Sequence, residues 1–366
     1  MPTDIDILKQ KTSRLLYIGF QGKSFEDIKD TLTQYPFGGV IFFSRNIEDL
    51  NSLKKLITEI QSFSISRWGE PLLIGIDQEG GRVNRIHRPF TMLPPDSVVG
   101  HTKSAHLAYL KGKLLGLELK LVGFNLDFYP VLDILTNPAN RVIGDRSFGT
   151  DQEIVAEFGV EAIRGLKSAN IASVGKHFPG HGDTREDSHE ELPVLNYGLK
   201  DLLKRETIPF EKAIKEGVDF IMPAHIAFPS IDREKIPATF SSNIINGLLK
   251  KRLGFKGAVI SDDLEMKAIS NNHEIREASS KALNAGCDMI LVCHTKQYQM
   301  ETVEHLAMEI QNGNFSELEI DNSIGKIAEI KSRVTSSIAF DDSDIEEELK
   351  SRELQELRNE IESILK

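Results

Sequence analysis

Eight short runs rich in apolar and β-branched residues punctuate the 366-residue chain, and their number and spacing limit its fold more than any other feature. They occupy residues 15–20, 39–44, 72–77, 124–130, 172–178, 220–226, 258–264 and 289–293. Near-continuous apolar runs belong to parallel strands buried on both faces, and amphipathic stretches such as 151–168 and 200–216 supply the covering helices. Eight such units predict an α/β fold, a (β/α)8 TIM-type barrel. Two average domains would also fit the length, but barrels of about 200 to over 400 residues are single domains. One catalytic barrel over residues 1–340 is therefore expected.

Residues 341–366 change character. They begin acidic and then place Leu354, Leu357, Ile361 and Ile364 at alternating spacings of three and four, the stripe of an amphipathic helix. This C-terminal extension is expected to pack on the outside of the barrel. A short dimerising coil is the alternative, though two heptads are few for one.

Composition removes several functional classes. With 27% charged and 40% hydrophobic residues the chain is an ordinary globular protein, and a net charge of −11 disfavours nucleic acid, whose phosphates need a basic surface. Cys287 and Cys293 sit in apolar surroundings and read as buried thiols of a reducing compartment. The acidic start shows no basic-then-apolar leader, and no run approaches the roughly 18 to 20 apolar residues that cross a bilayer. A monomer in the cytoplasm, without a membrane partner, is expected.

The ends of the runs carry the chemistry. The third ends at Asp77, the fifth at Lys176-His177, the sixth at His225 and the seventh at Asp262-Asp263. A parallel barrel gathers its strand ends on one face, where active sites lie. Either aspartate alone could cap a following helix; four strands ending in ionisable groups are harder to read as caps. Asp262 at a strand mouth suits a nucleophile, or a stabiliser of a developing oxocarbenium ion. Asp263 must point the other way, because side chains alternate along a strand.

Residues 176–189, KHFPGHGDTREDSH, concentrate further titratable groups among helix breakers. Asp187 stands two residues before His189 and can accept its ring N–H, which poises the imidazole for proton transfer near neutral pH. Asp77 suits paired sugar hydroxyls, with Arg85, Arg146, Lys176 and His177 as complementary donors. His177, His181, Asp183, Asp187 and His189 could all bind a metal, yet their spacing matches no compact zinc pattern and the neighbouring lysine disfavours a cation. The site is expected to need neither metal nor cofactor, and a metal-dependent barrel hydrolase is the alternative.

Four segments closely resemble glycoside hydrolase family 3, in its bacterial single-domain β-N-acetylglucosaminidase branch: IDQEGGRV from Ile76, VIGDRSFG from Val142, KHFPGHGDT followed by DSH, and SDDLEM from Ser261. The resemblance implies Asp262 as the nucleophile of a retaining reaction, His189 as general acid/base and Asp187 as the residue that orients it. It places Asp77, Arg85, Arg146, Lys176 and His177 at sugar-binding positions and His225 at the edge of the site. The implied substrate is a peptidoglycan fragment bearing terminal β-linked N-acetylglucosamine. A phosphorylase using the same intermediate, and a β-glucosidase of the same family, remain as alternatives; a silent sugar-binding barrel would lack the nucleophile or the dyad. Asn84 departs from a glutamine common in the family, and the acidic tail has no counterpart in it.

Overall fold

Each of the eight runs contributes a strand to one parallel sheet that closes on itself. The computed structural model describes residues 3–185, 191–336 and 344–366. The barrel strands are β1 (Leu16–Ile18), β2 (Gly39–Phe42), β3 (Leu73–Ile76), β6 (Leu126–Asp127), β7 (Ala172–Phe178), β8 (Phe220–Pro223), β9 (Ala258–Asp263) and β10 (Met289–Val292). A small hairpin, β4 (Gln78–Gly80) with β5 (Val83–Asn84), stands on the end of β3. The closed order is β1-β10-β9-β8-β7-β6-β3-β2, with parallel pairing throughout.

The interior is packed solid. Tyr17 of β1 meets Phe128, just beyond β6, edge to face at 5.5 Å, although β1 and β6 are not neighbours in the barrel, so the contact crosses the lumen. Room for the tyrosine comes from Gly39 and Gly75, where a Cβ would stand 2.5 Å from its ring and 2.3 Å from its hydroxyl oxygen. Large aromatic pairs of this kind contribute about 0.5–1.5 kcal/mol beyond the area they bury.

The two predicted helical stretches differ. Gln152–Ser168 is one helix, started by the Asp151 side chain, which accepts from the N–H groups of Glu153 and Ile154. The stretch at 200–216 is broken: Leu199–Asp201 leads into a π turn, Leu202–Glu206, before a regular helix, Ile208–Glu216, resumes. Pro209 has no N–H to give to an earlier carbonyl, and the Thr207 N–H bonds to the Leu202 carbonyl at 2.9 Å, five residues back. That wide turn holds Arg205 and Glu206.

In the C-terminal extension, the helix Arg352–Leu365 buries Leu354, Leu357 and Ile361 and packs against Ala105–Leu121. Arg358 pins it by donating to the Thr91 hydroxyl at 2.7 Å and to buried Glu118 at 2.8 Å. Both cysteines are buried free thiols. Among the described residues no helix is long and apolar enough to cross a membrane.

Candidate active site

The mouth is built outward from β3. Side chains on an extended chain repeat every two residues, so Asp77 and Glu79 point the same way. Gln78, between them, locks the hairpin: its side-chain oxygen accepts from the N–H groups of Arg85 and Ile86 at 2.8 Å and 3.1 Å, and its amide donates to Asn84 at 2.5 Å. Asn84, the departure from the family pattern, thus holds the residue that fixes the backbone of Arg85.

Four of these charges form one buried cluster. Arg146 grips Glu79 with two bonds of 2.8 Å, and Lys176 bridges Glu79 at 2.8 Å and Asp77 at 2.7 Å. Burial favours neutral Glu79, but Arg146 and Lys176 outweigh it and hold the carboxyl well below the usual range. Burial likewise disfavours charged Lys176, and Asp77 and Glu79 more than compensate, raising its pKa. Arg85 lies 3.8 Å from Asp77, and its buried Nε has no partner among the described residues.

β7 reaches the mouth beside this cluster. Its register against β8 shifts between Lys176 and Phe178, an irregularity of the sort that re-aims side chains at sites. The chain after β6 continues alongside it, with the Leu132 N–H bonded to the Lys176 carbonyl at 2.7 Å. This brings in Asp133, fully buried, which accepts from His177 Nδ1 at 2.7 Å and from the His181 N–H at 2.7 Å. A carboxylate can only accept here, so His177 carries its proton on Nδ1 and leaves Nε2 free. Burial would raise the Asp133 pKa; His177 chiefly reverses that and lowers it. Buried His181 is pushed down to about 4, first by desolvation and then by His177. Gly182 lies so close to the chain after β6 that a Cβ would stand 1.7 Å from the Ile134 carbonyl oxygen.

Asp262 stands at the mouth of β9, half-buried, its Oδ1 accepting from the Asp263 N–H at 2.8 Å. Burial pushes its carboxyl up, but His225, His177, the Asp263 N–H and Lys176 together bring the pKa below the ordinary value. Asp263 is engaged differently, accepting from the Cys293 N–H at 3.2 Å and pairing with His294 at 3.1 Å, and it lines the same mouth rather than pointing away as strict alternation would have it. Asp77, Arg85, Arg146, Lys176, His177 and Asp262 all line one cavity of about 490 Å³. His225 does not. It lies behind the wall, 1% exposed, with Nδ1 on Thr239 at 2.8 Å and Nε2 on the Asp263 carbonyl at 3.1 Å, where it acts on Asp262 through charge.

Asp187 and His189 lie outside the described residues. Among those described, no three metal-capable side chains converge as a cage. Two residues that sequence reasoning passed over are central, Glu79 and Asp133. The first could have been found from its two-residue spacing to Asp77. The second could have been found by carrying the fourth run through Pro130-Val131-Leu132 to its ionisable end.

Residues 7–330 match the glycosyl hydrolase family 3 N-terminal domain. The chain is 39% identical over 296 residues to a beta-hexosaminidase of Thioalkalivibrio sulfidiphilus, covering 79% of this chain and 83% of that one. Its fold superposes with a TM-score of 0.92 on a family 3 beta-N-acetylglucosaminidase from Paenibacillus sp. FPU-7, at 40% identity, covering 98% of this chain and 68% of the other. NagZ from Neisseria gonorrhoeae superposes with a TM-score of 0.78 at 30% identity, covering 97% of this chain and 98% of the other. With its fold, its mouth chemistry and these likenesses in agreement, the chain belongs to glycoside hydrolase family 3 and is a glycoside hydrolase.

Proposed function

We propose that the enzyme is a retaining exo-β-N-acetylglucosaminidase, acting in the cytoplasm as a monomer on peptidoglycan fragments and using no cofactor. The observation that carries this reading is Asp262, a carboxylate kept ionised at a strand mouth and facing a cavity whose other walls hold paired acids and cations. Those walls suit a neutral, hydroxyl-rich ring. Asp77 and the free His177 Nε2 accept from hydroxyls, and Arg85, Arg146 and Lys176 donate to them, while Glu79 holds Arg146 and Lys176 from behind. The names of the relatives supply the N-acetylglucosamine preference.

In this mechanism an Asp262 oxygen attacks the anomeric carbon from the face opposite the leaving group. The bond to the leaving oxygen breaks, the electron pair departs with that oxygen, and the His189 imidazolium gives it a proton. Asp187 accepts the other ring N–H and steadies the ring. Water then attacks the same carbon, His189 takes its proton, and Asp262 is released. Two inversions give overall retention.

For Asp262→Ala, turnover of an aryl β-N-acetylglucosaminide is expected to fall by roughly 10⁴- to 10⁶-fold, the range seen when one member of a catalytic triad is removed. Near-normal turnover by that variant would refute the reading. Proton NMR of the wild-type reaction should show the β-anomer of free N-acetylglucosamine first, in phosphate as in its absence; sugar 1-phosphate would identify a phosphorylase instead.

A further inference from the structure

Two arginines at the rim of the mouth divide their labour. Arg82 lies in the turn of the small hairpin and Arg141 lies just before the turn that carries Arg146, and both line the cavity that holds Asp262. Arg82 is spent on structure. Its Nε donates to Asp145 at 2.7 Å, and its Nη2 reaches the carbonyls of Arg141 at 2.8 Å, Val142 at 2.7 Å and Ile143 at 3.1 Å. The turn it staples is tight: Gly144 has a φ of +45°, and a Cβ there would stand 3.5 Å from Arg82 Nη2. From the other side, buried Asn140 accepts from the Ile143 N–H at 2.9 Å. The backbone of Arg141 is thus fixed on both sides while its side chain is exposed.

That side chain is also unmatched. Of the other lysine and arginines lining the cavity, Arg82 has Asp145, Arg146 has Glu79, and Arg85 and Lys176 share Asp77. Arg141 forms no ion pair or side-chain hydrogen bond with a described residue. A guanidinium in this state offers a planar fork of donors whose geometry matches a carboxylate. The chain as a whole carries a net charge of −11, so an anionic group approaches against the general field and needs a local cation where it docks. Depth separates Arg141 from the floor: five residues on, Arg146 is drawn down onto Glu79, whereas Arg141 stays at the rim. A terminal sugar held over the buried cluster leaves its linked partner to pass out through the opening, beside that rim.

We infer that Arg141 recognises a carboxylate carried by the leaving part of the substrate, and so selects an acidic aglycone over a neutral one. The inference rests on the reading of the substrate as a peptidoglycan fragment. In such a fragment the unit linked to N-acetylglucosamine bears a lactyl ether that ends in a carboxylate; where a peptide caps that group, the peptide brings carboxylates of its own. Recognition is the same for both, two parallel N–H···O bonds to one planar anion. A rim cation of this kind supplies discrimination and encounter rate more than bulk affinity.

The test compares kcat/KM on three substrates: the N-acetylglucosaminyl-N-acetylmuramic acid disaccharide, its neutral lactyl methylamide, and the disaccharide carrying an alanyl-glutamate dipeptide. Wild type is expected to favour the acidic forms over the methylamide. In Arg141→Gln the acid-over-methylamide ratio should fall roughly five- to tenfold, the scale of one charge-assisted bond, and Arg141→Lys should keep part of it. Raising sodium chloride from about 0.05 M to about 0.5 M should narrow the wild-type ratio and leave that of Arg141→Gln unmoved, which a merely structural role would not produce. A loss seen with the plain disaccharide assigns the lactyl carboxylate, and a loss confined to the dipeptide form assigns the peptide's. Arg82→Gln is the contrast: by releasing the turn it should lower kcat/KM on all three substrates and lower the melting temperature. For Arg141→Gln, ratios within about twofold of wild type on both acidic forms, or a fall of one size on all three substrates, would overturn the inference. If wild type cleaves an aryl β-N-acetylglucosaminide but none of the three, the peptidoglycan reading fails and the inference goes with it. If it cleaves all three and the ratio survives in Arg141→Gln, only the role of Arg141 fails.

Discussion

Two buried glutamates, one in the floor of the mouth and one at the stem of the following loop, sit in opposite electrostatic states. Glu79 is met by two cations: Arg146 takes both of its oxygens and Lys176 adds a further contact, and together they hold it ionised against burial. Glu206 is met by one, Arg205, on one oxygen, and burial pushes it up to about 7. The two side chains are equally inaccessible, at 2% exposure each. The number of donors on the carboxylate, not its depth, separates them.

The strongest way to break this contrast is Glu79→Ala. It strands Arg146 and Lys176 as buried charges with one shared acid, Asp77, left nearby. The expected loss is about 3–5 kcal/mol of stability, read by urea unfolding, the range seen when one member of a buried pair is removed. A loss below about 1 kcal/mol would mean the cluster is effectively solvated.

The next effect is a slope. In the fold Glu206 keeps its proton up to about 7, whereas in the unfolded chain it releases it near 4.5. Between those values the folded state binds more protons, so the stability this group contributes is present below pH 4.5 and lost as pH rises through 7. Glu206→Gln should remove that decline, worth about 3 kcal/mol across the window, as measured by unfolding free energy at successive pH values. An unchanged slope would place the Glu206 pKa near its ordinary value.

His181 supplies the counter-slope. It stays neutral in the fold down to about 4 but is protonated below 6.5 when unfolded, so its contribution is present above 6.5 and lost as pH falls toward 4. The two groups oppose each other between pH 4.5 and 6.5 and partly cancel in the native protein. Replacing His181 with Gln should therefore tilt the profile the opposite way from Glu206→Gln, by at most about 1.4 kcal/mol per pH unit. Tilts of the same sign would refute the assignment of one or both.

Much of this was legible in the chain before folding. The eight runs mark the eight strands because parallel strands buried on both faces leave a continuous apolar trace, and their ionisable ends name most of the mouth. Legibility failed where the determinant is a contact between distant segments. Asp133 belongs to the mouth only because the chain after β6 runs on beside β7. His225 looks like a mouth residue from its place at a run's end, yet its ring is turned into the wall by Thr239 and the Asp263 carbonyl. The π turn that aims Arg205 and Glu206 reads as plain amphipathic helix, since periodicity does not register one extra residue in a turn.

Gly182 carries a consequence for how this enzyme can change. Its backbone rests on the Ile134 carbonyl with no room for even a methyl group, so the segments after β6 and β7 fold as one welded piece up to Thr184. Barrels diversify by lengthening and shortening their loops. Here the close approach of Gly182 to Ile134 and the Asn140–Thr184 bond leave no room for an insertion before Thr184.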